Sequence, residues 1–192
     1  NECYNKGIDK IFVPSEHTKR AVLKTEASQK PNKASQSKIL DKLVVIPHGV
    51  NNSLFYPSIK EKSDKVTFIA NKGLRNLEDR GGVQYLLRAY MEEFEKNDNV
   101  ELIIKLNPAY GIPDLNTMLE KLNPGKIELP KISVDINNYP YSKLKELYNK
   151  GTVFVSPTRA EAYNLGCIEA MACGLPVITT SFGGQTDYEK FP

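Results

Sequence analysis

The chain has 192 residues, 40% of them hydrophobic and 26% charged, the balance of an ordinary globular protein long enough to bury a core without disulfides or metal. Those figures exclude a disordered tract, collagen and coiled coil, and no apolar run approaches the ~20 residues of a membrane span. The net charge of +3, from 26 Lys and Arg against 23 Asp and Glu, is too small an excess to argue for nucleic acid, and none is expected as a partner.

In chain order, Ile11-Phe12-Val13-Pro14 reads as a strand, and Ser15 as the N-cap of a helix carrying Thr18, Ala21, Val22 and Thr25. Residues 27–38 are polar and of low complexity, the composition of a loop. Leu43-Val44-Val45-Ile46 is a second strand, closed by Pro47-His48-Gly49, and residues 51–64 are irregular and polar, a candidate linker. From Lys65 the pattern becomes regular. Val66–Ala70 is a strand, and Gly81-Gly82 precedes a helix with Val83, Leu86, Leu87, Tyr90 and Phe94 on one face. Val100–Leu106 is a strand, Leu115, Leu119 and Leu122 mark a helix, and Lys126–Leu129 is taken as a short strand. Leu144, Leu147 and Tyr148 mark a further helix. Val153-Phe154-Val155 is a strand, Leu165–Cys173 a helix and Val177-Ile178-Thr179 a strand. Strands apolar on both faces, alternating with helices, predict an α/β fold: a Rossmann-like parallel sheet with helices on both faces.

Several familiar chemistries are missing. No Gly-x-Gly-x-x-Gly, no Gly-x-x-x-x-Gly-Lys-Ser/Thr and no Gly-x-Ser-x-Gly occurs, which removes the usual signals for dinucleotide binding, a phosphate loop and a hydrolase elbow. Two histidines and three scattered cysteines do not make a zinc site, and without Asp-x-Asp a metal-bridged diphosphate lacks obvious ligands. No metal is expected. Cys167 and Cys173 lie among small apolar residues, read as packing residues of a reduced compartment.

The informative stretch runs from Val153 to Gly184. Glu161 and Glu169 stand eight apart, a spacing worth little alone, because Glu93/Glu101 and Glu120/Glu128 repeat it on what read as solvated faces and strand ends. Glu161, however, falls in a strand-to-helix loop, at the end of the sheet where open α/β folds bind ligands. Asn164 is placed to cap the next helix, and the first amides of that helix, at Leu165 and Gly166, suit a diphosphate. Glu169, one turn in, is placed to accept two ribose hydroxyls. His48 reads as a turn residue and His17 as a solvated helix residue. Tyr139-Pro140-Tyr141 reads as a helix entry packed on the core rather than a stacking surface.

The segment Glu161-Ala-Tyr-Asn-Leu-Gly-Cys-Ile-Glu169-Ala-Met-Ala-Cys-Gly-Leu-Pro-Val-Ile178, followed by Gly183-Gly184, resembles the Glu-x7-Glu signature of glycosyltransferase family 4, retaining enzymes of GT-B fold. Upstream, Val45-Ile-Pro-His-Gly-Val-Asn51 and Phe55-Tyr-Pro57 resemble that family's interdomain segment, and Phe12-Val-Pro-Ser-Glu-His-Thr-Lys19 the last part of its first domain. The resemblance implies that residues 1–64 are the end of an N-terminal domain with the linker, and residues 65–192 a truncated nucleotide-sugar-binding domain. Since the chain opens at Asn1 and stops at Phe191-Pro192 soon after a strand-like run, it is expected to be a piece of a longer protein.

By the same resemblance Glu161 is the catalytic residue beside the transferred sugar, and Glu169 holds the nucleotide ribose. Two cations on the donor diphosphate are implied. Arg80 keeps one position, Gly81 stands where lysine is usual, and Arg75, Lys72 or Lys105 are the candidates for the second. The implied donor is a nucleotide-diphosphate sugar, used without a cofactor. The implied acceptor is a sugar or a lipid-linked sugar, held mostly by the missing N-terminal domain. The expected location is cytoplasmic, with peripheral contact at the inner membrane face through that missing domain. The alternatives are a GT-B-related sugar-nucleotide epimerase or phosphorylase, and a non-catalytic nucleotide-binding module.

Overall fold

The computed structural model describes residues 7–29, 39–59, 63–73, 80–110, 114–122, 125 and 128–188. They fall into two compact units. One holds the described residues up to Gly49 together with Glu161–Asn164 and those from Ser181 on; the other runs from Val50 to Ala160 and from Leu165 to Thr180.

The first unit is a strand–helix–strand motif: β1 (Ile11–Val13), α1 (Glu16–Gln29) and β2 (Leu43–Val45), the strands parallel with Ile11 opposite Leu43. Ser15 caps α1 as expected, its Oγ accepting the Thr18 N–H at 3.0 Å. The helix continues to Gln29, so residues 27–29, expected in a loop, are helical. Nothing in Ala27-Ser28-Gln29 breaks a helix, and the Ser28 hydroxyl donates back to the Thr25 carbonyl at 2.8 Å. The rest of the expected loop, 30–38, lies outside the described residues. Val13, Ile39 and Leu43 form the small core, flanked by Val22, Leu23 and Val45.

The second unit contains β3 (Val66–Asn71), α2 (Val83–Glu93), β4 (Val100–Lys105), α3 (Leu115–Leu122), β5 (Ile132–Asp135), α4 (Leu144–Lys150), β6 (Val153–Ser156), α5 (Leu165–Ala172) and β7 (Val177–Thr179). The five strands form one parallel sheet in the order β5-β4-β3-β6-β7. On one face Ala70, Leu102, Ile104 and Val155 pack with Val83, Leu87, Tyr90 and Met91 of α2 and Met118 of α3. On the other, Ile69 and Phe154 meet the Gly151 and Gly166 positions and Tyr148 of α4. Helices thus cover both faces, as the doubly apolar strands predict.

Two expectations change. The edge strand is Ile132–Asp135, whereas Glu128 and Leu129 lie outside any strand, and Lys126 and Ile127 fall outside the described residues. An edge strand has one neighbour and is half-buried throughout, so it lacks the continuous apolar run that marks β3, β4 and β6. The 51–64 stretch also contributes to the core. Phe55 is 1% exposed, and its ring packs edge-on against Tyr141 and Tyr148, with centroids 5.2 and 5.9 Å away. Residues 60–62 of that stretch lie outside the described set.

Candidate functional site

Strand order reverses between β3 and β6: β4 and β5 lie to one side of β3, and β6 and β7 extend the other. In open α/β sheets such a switch opens a crevice beyond the carboxyl ends of the strands. Asn71 is the last residue of β3, and its Nδ2 lies 3.5 Å from the Tyr148 hydroxyl. That hydroxyl donates to Glu169 Oε2 at 2.7 Å, and the Tyr141 hydroxyl donates to Glu169 Oε1 at 2.7 Å. Glu169, in the middle of α5, is only 4% exposed. A buried carboxylate needs hydrogen bonds on both oxygens, and two tyrosines 28 and 21 residues upstream supply them. Burial and the neighbouring carboxylate push the Tyr141 hydroxyl up to about 12 and hold the Tyr148 hydroxyl well above the ordinary phenol value, so both remain protonated donors at neutral pH.

Glu101 is a useful contrast. Its spacing from Glu93 matches that of the signature, and its sequence context reads as a strand end. It is in fact buried, bound by Lys65, by Ser133 Oγ at 2.8 Å and by Lys131 Nζ at 3.3 Å. Its hydrogen bonds include two ammonium groups and knit β4 to β5, which is structural work. The Glu169 bonds come from neutral phenols, one of them half exposed. A neutral donor at the surface is far easier to exchange for a ligand hydroxyl than a lysine pair.

Among the described residues, the cation candidates Lys72, Arg80 and Lys105 sit around the same carboxyl edge. Arg80 is exposed, and its Nη1 donates to the Ala160 carbonyl at 2.9 Å. Its own carbonyl accepts the Arg159 N–H at 2.8 Å and the Thr158 hydroxyl at 3.2 Å. The turn before α2 is thereby tied to the loop after β6. Gly82 makes that possible: its φ is 72°, and a Cβ there would stand 1.9 Å from the Pro157 carbonyl oxygen, so no larger residue fits. Gly81, where lysine was expected, is buried. Lys105 ends β4 opposite Asn71, but it is 6% exposed, its Nζ donating to the Leu106 carbonyl at 2.6 Å and lying 5.5 Å from the Tyr139 ring centre. Burial lowers its pKa, partly offset by Asp135. Arg75 lies outside the described residues.

Leu165 and Gly166 open α5, whose first amides have no acceptor within the helix. Gly166 also serves packing. A Cβ there would come 3.2 Å from the Phe154 ring and 3.7 Å from the Tyr148 hydroxyl.

Glu161 and Asn164 belong to the other unit. The Glu161 carbonyl accepts the Gly184 N–H at 2.9 Å, and a Cβ on Gly184 would stand 1.8 Å from the Ala162 carbonyl oxygen. The Ala162 carbonyl in turn accepts the Ser15 hydroxyl at 2.6 Å, and that of Asn164 the Tyr188 hydroxyl at 3.0 Å. The backbone carrying Glu161 is therefore clamped by Gly183-Gly184 and by the cap residue of α1. Asn164 has φ 65°, the left-handed region, rather than the extended backbone usual for an N-cap.

The remaining expectations divide. Cys167 and Cys173 are buried and free. His17 packs edge-on to Phe182 at 5.1 Å and is not a fully solvated face residue. His48 meets Tyr163 in the same way at 5.2 Å. The Tyr139 hydroxyl donates to Asp135 Oδ2 at 2.6 Å, so both tyrosines of the Tyr139-Pro140-Tyr141 segment bind carboxylates. The sequence reading missed Tyr141 and Tyr148 as partners of Glu169. For Tyr148 the available signal was the tyrosine itself on the apolar face of its helix, since a buried phenol requires an acceptor; the half-exposed Tyr141 carries no such signal. A cavity of about 670 Å³ lies among Lys65, Thr67, Asn149 and Gly151, at the amino ends of β3 and β6 and away from Glu169. Among the described residues no cluster of three or more His, Cys, Asp and Glu is positioned for a metal, and no helix is long and apolar enough to cross a membrane.

The family model "Glycosyl transferases group 1" matches residues 65–190. A probable sucrose-phosphate synthase of Thermosipho melanesiensis is 26% identical over 78% of the chain and 34% of its own length. An uncharacterised glycosyltransferase of Methanocaldococcus jannaschii is 29% identical over 78% and 39%. The chain thus spans little more than a third of these curated relatives. In structure it is similar to sucrose-phosphate synthase of Thermosynechococcus elongatus, with TM-score 0.65 and 22% identity over 93% of this chain and 42% of that one. It is also similar to the C-terminal domain of a group 1 glycosyltransferase from Francisella tularensis, with TM-score 0.52 and 18% identity over 71% and 72%. The five-stranded sheet has the fold of a GT-B C-terminal domain. With the family model covering most of the chain and the fold agreeing, the chain belongs to the group 1 glycosyltransferases.

Proposed function

We propose that this chain is the donor-binding part of a retaining glycosyltransferase, which moves a hexosyl-type sugar from a nucleotide diphosphate to an acceptor. The observation that carries the reading is Glu169. It is a buried carboxylate held by two neutral donors, one of them half exposed, at the carboxyl edge of the sheet, beside the strand-order switch. It is the second glutamate of the Glu-x7-Glu pattern and lies on α5.

In this reading Glu169 accepts the ribose hydroxyls. The amides of Leu165 and Gly166 face the diphosphate. Arg80, fixed by its bond to Ala160, is the guanidinium that meets the phosphates as the leaving diphosphate gains charge. Lys105, buried and turned to the Leu106 carbonyl, supports the edge of the site, while Arg75 remains the second candidate cation. Glu161, on its clamped loop, stands by the transferred sugar. No metal or cofactor is assigned. The acceptor is a sugar or a lipid-linked sugar, held mostly by residues outside the donor-binding part, as is any membrane contact of the cytoplasmic enzyme.

Titrating the chain with UDP-, GDP- and ADP-sugars by calorimetry tests the donor role. Heat is expected for one base, and no heat for any of them at millimolar concentration refutes it. In the full-length enzyme, Glu161→Ala is expected to abolish transfer. Unchanged activity removes Glu161 from the chemistry, and release of free sugar without acceptor identifies an epimerase or hydrolytic relative instead.

A further inference from the structure

The two tyrosines that hold Glu169 are not equivalent. Tyr148 is fully buried, with Phe55 and Phe154 packed edge-on against its ring at 5.9 and 5.6 Å. Displacing it would open the core. Tyr141 is 51% exposed and begins a one-turn 3-10 helix, Tyr141–Lys143, after the extended backbone of Pro140. Displacing its hydroxyl breaks one bond at the surface and keeps the ring near Phe55. Of the two bonds, the one from Tyr141 to Oε1 is therefore the one a ligand hydroxyl can replace without disturbing the core.

Resting on the reading of Glu169 as the ribose acceptor, we propose that the Tyr141 hydroxyl stands in for a ribose hydroxyl in the nucleotide-free protein and is exchanged for it on binding, while Tyr148 stays and fixes the carboxylate. The exchange keeps the buried carboxylate partnered at every stage, avoiding the large penalty of an unpaired one. It also makes Tyr141 a specificity residue. A nucleotide with ribose hydroxyls replaces the bond it breaks; one without them has nothing to exchange and leaves Tyr141 in place. Every ribonucleotide then binds against the competition of one phenol–carboxylate bond. Sites that must re-partner a buried polar group discriminate strongly against ligands lacking the matching hydroxyl.

The test compares two ligands on one protein: the nucleoside diphosphate, among UDP, GDP and ADP, that binds in the titration above, and its 2′,3′-dideoxy form. In the unaltered chain the ribonucleotide is expected to bind more tightly. In Tyr141→Phe it is expected to bind roughly tenfold tighter still, the worth of one lost competing bond to a charged acceptor, while the dideoxy form is unchanged. Because both ligands are measured on the same variant, a general loss of structure cannot imitate the change in their ratio. An equal change for both ligands, or weaker ribonucleotide binding, overturns the exchange. No preference for the ribonucleotide in the unaltered chain, nor any effect of Glu169→Gln on its binding, overturns the ribose reading itself.

Discussion

Glu101 allows a stability prediction with a worked sign. Burial alone would push this carboxyl up, but hydrogen bonds from Lys65, Ser133 and Lys131 outweigh burial and pull it from 4.5 to about 2. A carboxyl that ionises that much more readily when folded favours the folded state by about 3 kcal/mol once both states are ionised. The folded value is the lower one. The contribution is therefore complete above about pH 5 and is lost as the pH falls from 4.5 towards 2. Glu101→Gln keeps the shape but cannot ionise. Urea unfolding followed by circular dichroism at a series of pH values should show the variant about 3 kcal/mol less stable at pH 7. The gap should close progressively between pH 4.5 and 2. A difference that is constant with pH, or below about 1 kcal/mol at pH 7, refutes the account of Glu101 as the tie between β4 and β5.

Three further outcomes are expected. Gly184→Ala places a methyl 1.8 Å from the Ala162 carbonyl oxygen, so it should cost about 1–3 kcal/mol in denaturant unfolding; wild-type stability would deny the close approach. Tyr148→Phe leaves Glu169 Oε2 short of its 2.7 Å donor and should cost about 1–3 kcal/mol. Most of that cost should vanish in a Glu169→Gln background, and a double-mutant cycle with zero coupling counts against the pair. Arg80→Ala should weaken nucleoside diphosphate binding about tenfold and leave the bare nucleoside unaffected; equal losses for the two ligands would remove Arg80 from the phosphates.

Much of this was legible along the chain. β3, β4 and β6 announce themselves because a strand buried on both faces must be apolar at nearly every position, and Ser15 announces α1 because a helix start needs an oxygen for its unpaired amides. The sequence points to Lys126–Leu129 instead of the edge strand Ile132–Asp135, because one-sided pairing leaves no continuous apolar run. The composition of residues 27–29 points to a loop, although Ala, Ser and Gln tolerate a helix when the preceding turns already hold one.

What the amino-acid order determined by itself was the alternation of elements and the Glu-x7-Glu stretch, because periodicity and local signals act over a few residues. Only the tertiary structure separated Glu101 from Glu169. Both are buried carboxylates, yet one faces Lys65 and Lys131 and the other faces Tyr141 and Tyr148. Those partners come from elements 21 to 36 residues away, brought near by parallel pairing and helix packing. The same holds for Gly82 and Gly184, whose necessity is a carbonyl from another segment within 2 Å of the missing Cβ. No local spacing encodes that distance.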